Sequence, residues 1–159
     1  MAFRELDFGL SKETIAMHRE VKNFARNVMR PVGIELDQMH DPAEVYAEGS
    51  PLWDVFRAYR EMDLHMRTMP KEFGGMMGEL DPMAMYLIRE EMGYGDAGLT
   101  ISLGVAGMPF NYAAMFSHVP ELKQMAHDYC EDKKGELIGC WAITEPDHGS
   151  DWVMAGDDP

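Results

Sequence analysis

The residues best suited to chemistry lie near the end of the chain, in Cys140-Trp141-Ala142-Ile143-Thr144-Glu145-Pro146-Asp147-His148-Gly149-Ser150-Asp151. Leu137 to Thr144 is short, apolar and β-prone, bounded by Gly135 before and Glu145-Pro146 after, the pattern of a strand. A threonine closing such a strand offers a hydroxyl and a backbone N–H together, and preorganised donors in a dry site stabilise negative charge. Gly149 lets backbone approach a bound group closely, and Ser150 adds a second hydroxyl. Taken singly, each also has an ordinary role. Trp141 would be a core residue on most strands, Glu145-Pro146 a turn, and Gly149-Ser150-Asp151 a loop.

Other chemistries find little support. The two cysteines, Cys130 and Cys140, form neither a CxxC pair nor zinc-finger spacing, which implies free thiols in a reducing compartment. The six histidines are scattered without an HExxH pair, so a metal site is not expected. Acidic residues outnumber basic ones 28 to 14, for a formal charge of −14, and nucleic acid is not an expected partner because phosphate contacts need clustered Lys and Arg. No run of about 18 apolar residues exists. The opening residues mix Arg4, Glu5 and Asp7 with isolated apolar ones, so no membrane span or targeting peptide is expected and the location is read as cytoplasmic. The 16 methionines, with pairs such as Met76/Met77 and Met83/Met85, suit irregular core gaps and would also suit a cavity for an acyl or aromatic group.

The elements that must position the end segment read as helices. Ser11 caps a first helix with Met17, Val21, Phe24, Ala25 and Val28 on one stripe, running to about Arg30; Pro31 ends it or starts a further segment through Leu36. His40 to Gly49 is expected to be a loop. Ser50-Pro51 opens a helix that buries Leu52, Val55, Phe56, Tyr59 and Met62, and Asp81-Pro82 opens another, to about Tyr94, with Met83, Tyr86, Leu87 and Met92. From Leu99 the pattern is apolar nearly all round, with Gly104, Gly107 and Pro109 inside it, which predicts a helix in the middle of a bundle. Pro120 opens a last helix with Leu122, Met125, Ala126 and Tyr129 inward.

A helical stretch of this length followed by Trp141-Ala142-Ile143-Thr144-Glu145-Pro146-Asp147-His148-Gly149-Ser150-Asp151 resembles the acyl-CoA dehydrogenase family, whose members carry aromatic-x-x-Thr-Glu-Pro-x-x-Gly-Ser-Asp at this place. Three weaker matches follow in order. Phe8-Gly9-Leu10-Ser11-Lys12-Glu13 resembles the family's opening Phe-x-Leu-Thr-x-Glu, and Met69-Pro70-Lys71-Glu72-Phe73-Gly74-Gly75 resembles its Pro-Glu-Glu-Tyr-Gly-Gly turn. Glu90-Glu91-Met92-Gly93-Tyr94-Gly95-Asp96 resembles the Glu-Glu-Leu-Gly-x-x-Asp that enters the helix bordering the acyl cavity.

The resemblance implies an all-α fold, an orthogonal or up-down bundle of the family's N-terminal type over residues 1–135, with residues 136–159 beginning a truncated middle β-domain. It implies FAD as cofactor, contacted by Trp141, Ala142, Ile143, Thr144, Gly149 and Ser150, because flavin reduction places negative charge where those donors would point. Ser150 would also meet substrate, and Thr100, Ile101 and Gly104 match positions lining the acyl end of the cavity, although core packing is the expected role of Ile101. Gly104 would deepen that cavity. Implied partners are an acyl-CoA substrate, an electron-transferring flavoprotein and further copies in a homodimer or homotetramer. The family reaction forms a 2,3-enoyl thioester by α-proton abstraction and hydride transfer to flavin N5, with a glutamate base from a C-terminal domain. No residue here matches that base, and Glu136 and Glu145 read as turn or surface groups. The chain is therefore expected to be a truncation, inactive alone. The alternative is a non-catalytic helical module for oligomerisation or partner binding.

Overall fold

The computed structural model describes residues 9–143 and Pro146. The Ser11 hydroxyl accepts the N–H of Thr14 at 3.0 Å and starts α1, Lys12–Phe24. Pro31 lacks the N–H that would continue the ladder, and the chain passes it without breaking by widening Ala25–Met29 into a π turn before α2, Arg30–Asp37. Asp41 caps a single helical turn, α3 (Pro42–Val45), inside the stretch expected to be loop. Its Asp-Pro pair is the same start signal that opens the longer helices.

Ser50 and Pro51 begin α4, Pro51–Glu61, which buries Leu52, Val55, Phe56 and Tyr59 as its stripe predicts, and Arg60 with them. The chain then runs through two 3-10 turns, Leu64–Thr68 and Lys71–Phe73, to α5, Pro82–Gly95, capped by Asp81. The inward face of α5 is Ala84, Ile88, Met92 and Gly95: Met92 is buried as expected, Met83 and Leu87 are only half-buried at its margin, and Tyr86 points to solvent. Asp96 caps α6, Ala97–Met115, and Pro120 opens α7, Pro120–Glu131.

The helices enclose two apolar clusters. In the first, α1 packs along α5 around Val21, Phe24, Met29, Val55, Phe56, Ile88, Met92 and Leu103. In the second, α7 packs along α6 around Met69, Phe73, Phe110, Ala126 and Tyr129. Each fully buried side chain of this size contributes about 1.5–3 kcal/mol of transfer free energy. The methionines divide accordingly, with Met29, Met69 and Met92 buried and Met17, Met62, Met66 and Met125 filling the margins. Gly95 sits where α5 meets the π turn, and a Cβ there would lie 2.8 Å from the Ala25 carbonyl oxygen.

Two expectations need correction. The helix α6 is not in the middle of the described bundle. It buries Leu99, Leu103, Ala106, Gly107, Phe110, Ala113 and Ala114 and leaves Ile101, Val105, Tyr112, Met115 and Phe116 exposed, so its all-round apolarity reflects one buried face and one uncovered apolar face. Among the described residues no strand is formed either. Residues 136–143 lack regular structure because no second strand lies beside them to complete a ladder.

Candidate functional site

The segment that leaves α7 toward Trp141 is held by backbone contacts from three directions. Asp132, just past α7, accepts the N–H groups of Lys134, Gly135 and Glu136 on Oδ1 at 3.2, 2.9 and 3.1 Å, and that of Leu137 on Oδ2 at 2.9 Å. Burial works against its charge, but the N–H donors of Leu137 and Glu136 and the Arg60 guanidinium outweigh burial and hold the carboxyl below its ordinary range. Gly135 makes the turn at φ 74°, in the left-handed region, with the Phe56 and Arg57 backbone too close to admit a Cβ comfortably.

The second hold comes from α4. Arg60 is 2% exposed, and its Nη2 donates to the Leu137 carbonyl at 2.8 Å and lies 4.0 Å from Asp132 Oδ2. Its guanidinium also lies 4.0 Å from the centre of the Tyr129 ring, which stacks on Phe110 at 4.2 Å. Burial pushes the Tyr129 hydroxyl up to about 12 and the Cys130 thiol up to about 11, so both are neutral near pH 7 and Cys130 is no nucleophile. His65 packs edge-on against Tyr129, its Nε2 3.3 Å from the Cys130 carbonyl oxygen; burial, then the Arg60 charge, lowers it to about 4 and keeps it neutral.

The third hold comes from α6. Pro109 has no N–H to give the preceding turn, and in that turn the Ala106 carbonyl accepts the N–H of Gly139 at 3.0 Å. The crossing is close, since a Cβ on Gly139 would lie 2.7 Å from Pro109 Cγ and 2.9 Å from Ala106 O. Two residues on, Trp141 meets Tyr112 at 4.9 Å between ring centres, tilted by 50°. Pro109, Tyr112, Phe116, Met125 and Trp141 thereby line an open apolar hollow.

The sequence-predicted site residues fall as follows. Trp141 is half-buried on Tyr112, and Ala142 and Ile143 are exposed beyond it; Thr144, Gly149 and Ser150 lie outside the described residues. The Thr100 hydroxyl donates to the Asp96 carbonyl at 2.7 Å within its own helix. Ile101, expected in the core, is 66% exposed, and nothing lies within 4 Å of a Cβ built on Gly104. Ile101 and Tyr112 are 11 residues apart, about three helical turns, so they share one face roughly 16 Å apart along the axis. The structure thus brings Ile101, Gly104 and Val105 onto the same stripe that ends at Tyr112 and Trp141.

Sequence reasoning missed Arg60, Asp132, Tyr112 and Gly139. Arg60 had a visible signal, a basic residue four positions after Phe56 and beside Tyr59 on an apolar stripe. Asp132 three residues before Gly135 was a readable turn signal. A separate cleft lined by Arg30, Asp37, Tyr46, Asp96 and Ser102 gathers none of the predicted residues. Among the described residues there is no cluster of His, Cys, Asp and Glu able to hold a metal, and no helix is long and apolar enough to cross a membrane.

The chain is similar to known proteins over most of its length. It is 28% identical over 151 residues to the glutaryl-CoA dehydrogenase of Desulfococcus multivorans, covering 94% of this chain and 36% of that protein. It is 26% identical over 150 residues to a short-chain-specific acyl-CoA dehydrogenase of Clostridium acetobutylicum, covering 92% of this chain and 35% of that protein. The chain therefore spans about a third of the length of these relatives. No solved structure matches it significantly. Residues 11–125 match the model of the acyl-CoA dehydrogenase N-terminal domain. With the helical architecture above, that match over most of the chain means that it belongs to the acyl-CoA dehydrogenase family, as its N-terminal helical region.

Proposed function

We propose that this chain is the N-terminal portion of an FAD-dependent acyl-CoA dehydrogenase, which oxidises an acyl-CoA thioester to the 2,3-enoyl-CoA. The observation that carries this reading is the uncovered apolar face of α6, from Ile101 through Val105 and Tyr112 to Phe116, with Trp141 docked on it. A contiguous exposed apolar face beside a hollow suits an apolar ligand and the protein that encloses it. We assign residues 1–135 to the helical domain and residues 136–159 to the opening of the domain that completes the site.

The described residues fit the apolar side of a flavin. Trp141 and Ile143 offer a ring and an aliphatic surface, and among the described residues the hollow beside Trp141 has no charged lining residue. When bound, FAD supplies the hydride acceptor. Trp141, Ala142 and Ile143 would pack against it and exclude water, while Thr144, Gly149 and Ser150 would provide donors and close backbone approach. Ile101 and Gly104 border the acyl chain, where an apolar wall desolvates the carbons to be oxidised. The α-proton goes to a glutamate of a C-terminal domain. Electrons leave to an electron-transferring flavoprotein, and the complete enzyme is a homodimer or homotetramer.

Absorbance of the purified complete protein tests this reading. It is expected to show flavin bands that bleach anaerobically on adding an acyl-CoA thioester. A colourless protein that takes up no FAD when supplied in excess would refute the proposal and leave a non-catalytic helical module.

A further inference from the structure

We propose that Arg60 is a positioning residue for the Trp141 segment, holding the Leu137 carbonyl and the Asp132 turn so that Trp141 lands on Tyr112; its consequence for flavin rests on the reading given above. Residues 136–143 have no ladder to define their path, so their course depends on a few contacts. Asp132 sets the turn, the Gly139 N–H bonds to Ala106, and Arg60 bonds to Leu137 between them. Among the described residues, Arg60 is the side chain from another helix that bonds the backbone of this segment, and it does so 77 residues away in sequence.

Arginine is a poor choice for stability at this place. A guanidinium in a core forfeits hydration, and replacing a buried ion pair by apolar residues of like volume is often neutral or stabilising. Among the described residues the Nε and Nη1 atoms of Arg60 find no well-formed hydrogen bond and have chiefly the Tyr129 side chain beside them, so the desolvation is only partly repaid. The contacts that it does make converge on one task. Asp132 at 4.0 Å and the Tyr129 face at 4.0 Å hold the guanidinium still, and Nη2 at 2.8 Å fixes Leu137, four residues before Trp141.

The test reads Trp141 without needing flavin. In the 159-residue chain carrying Trp53→Phe and Trp152→Phe, Trp141 is the single emitter. Acrylamide quenching is compared for that parent, Arg60→Met and Arg60→Lys, with helix content and Tm followed by circular dichroism. In Arg60→Met, quenching is expected to rise about twofold as the segment opens locally while the helices remain. In Arg60→Lys, which keeps a charged donor, quenching is expected to stay near the parent. Unchanged quenching in Arg60→Met would overturn the proposal. So would a rise shared equally by both variants in proportion to lost helix, which is the mark of a merely structural role. Should Arg60→Met fail to fold, Arg60→Gln, whose amide is too short to span to Leu137, is read in the same way.

FAD titration of the complete protein separates the two readings. A parent that takes up no FAD refutes the flavin assignment and leaves the hold on Trp141 standing. A parent that binds FAD, with Arg60→Met about tenfold weaker for the loss of one charge-assisted hydrogen bond, supports both. Equal FAD affinity in parent and Arg60→Met refutes the consequence for flavin.

Discussion

Substituting Gly107 by alanine sets two effects of opposite sign against each other, and the structure decides which wins. Gly107 is inside α6, where alanine is the better helix former by about 0.8–1.0 kcal/mol. Its Cβ, however, would lie 2.4 Å from the Tyr129 hydroxyl oxygen, well inside contact distance. Tyr129 cannot step aside easily. Phe110 stacks on its ring at 4.2 Å and the Arg60 guanidinium lies 4.0 Å from the ring centre, so the two occupy opposite faces, while His65 abuts it edge-on. Overpacking costs about 1–3 kcal/mol, and an approach this short against a ring packed on both faces belongs in the upper half of that range, so Gly107→Ala should be net destabilising by roughly 1–2 kcal/mol. At this chain length that lowers Tm by about 2–8 °C.

Removing the clashing atom should reverse the sign. In a Tyr129→Phe background the nearest ring carbon to the new Cβ is 3.4 Å away, an ordinary contact, and Gly107→Ala should then stabilise by about 0.5–1 kcal/mol from helix propensity alone. Urea denaturation of the parent, both single variants and the double variant gives a coupling energy of roughly 2 kcal/mol. Equal effects of Gly107→Ala in the two backgrounds would show that the Tyr129 hydroxyl does not press on α6 and that the stack on which Arg60 rests is misplaced.

His65 should make stability depend on pH. Its folded value near 4 lies below the unfolded 6.5, so the unfolded chain binds the extra proton; stability is full above pH 6.5 and falls by roughly 3 kcal/mol as pH drops toward 4. Urea midpoints of the parent and His65→Phe across that range check this, and a slope that persists in His65→Phe would assign it elsewhere. Ile101→Ser should change the stability of the 159-residue chain by less than about 0.5 kcal/mol, because Ile101 is 66% exposed there; a loss above about 2 kcal/mol would place it in a core.

Much of the scaffold was legible because capping chemistry is local. Ser11, Ser50 and Asp81 start helices where their side chains can reach an N–H two or three residues on, and Pro51, Pro82 and Pro120 fit the first turn, whereas the Asp96 cap went unread. What failed was whatever depends on distant neighbours. Tyr86 looked inward because apolar spacing alone leaves the phase of α5 loose, whereas the close passage of Gly95 against Ala25 fixes it. Likewise α6 was read as central because an apolar side chain announces only that something covers it, not whether the cover lies in this chain. The candidate site is read from Trp141 and its neighbours, but Arg60 and Gly139 act across 77 and 33 positions, a separation that no local pattern encodes.

Pro109 shows how a locally unfavourable residue can serve the whole. Replacing it by alanine would give Val105 a donor, tighten the turn and raise the intrinsic helicity of α6, the kind of change that a search for thermostable variants selects. The same change would remove the ring carbons against which Gly139 passes. Heat resistance gained at this position would therefore be paired with a loosened grip on the chain beyond, and a screen scored on melting alone would favour molecules that hold Trp141 less firmly.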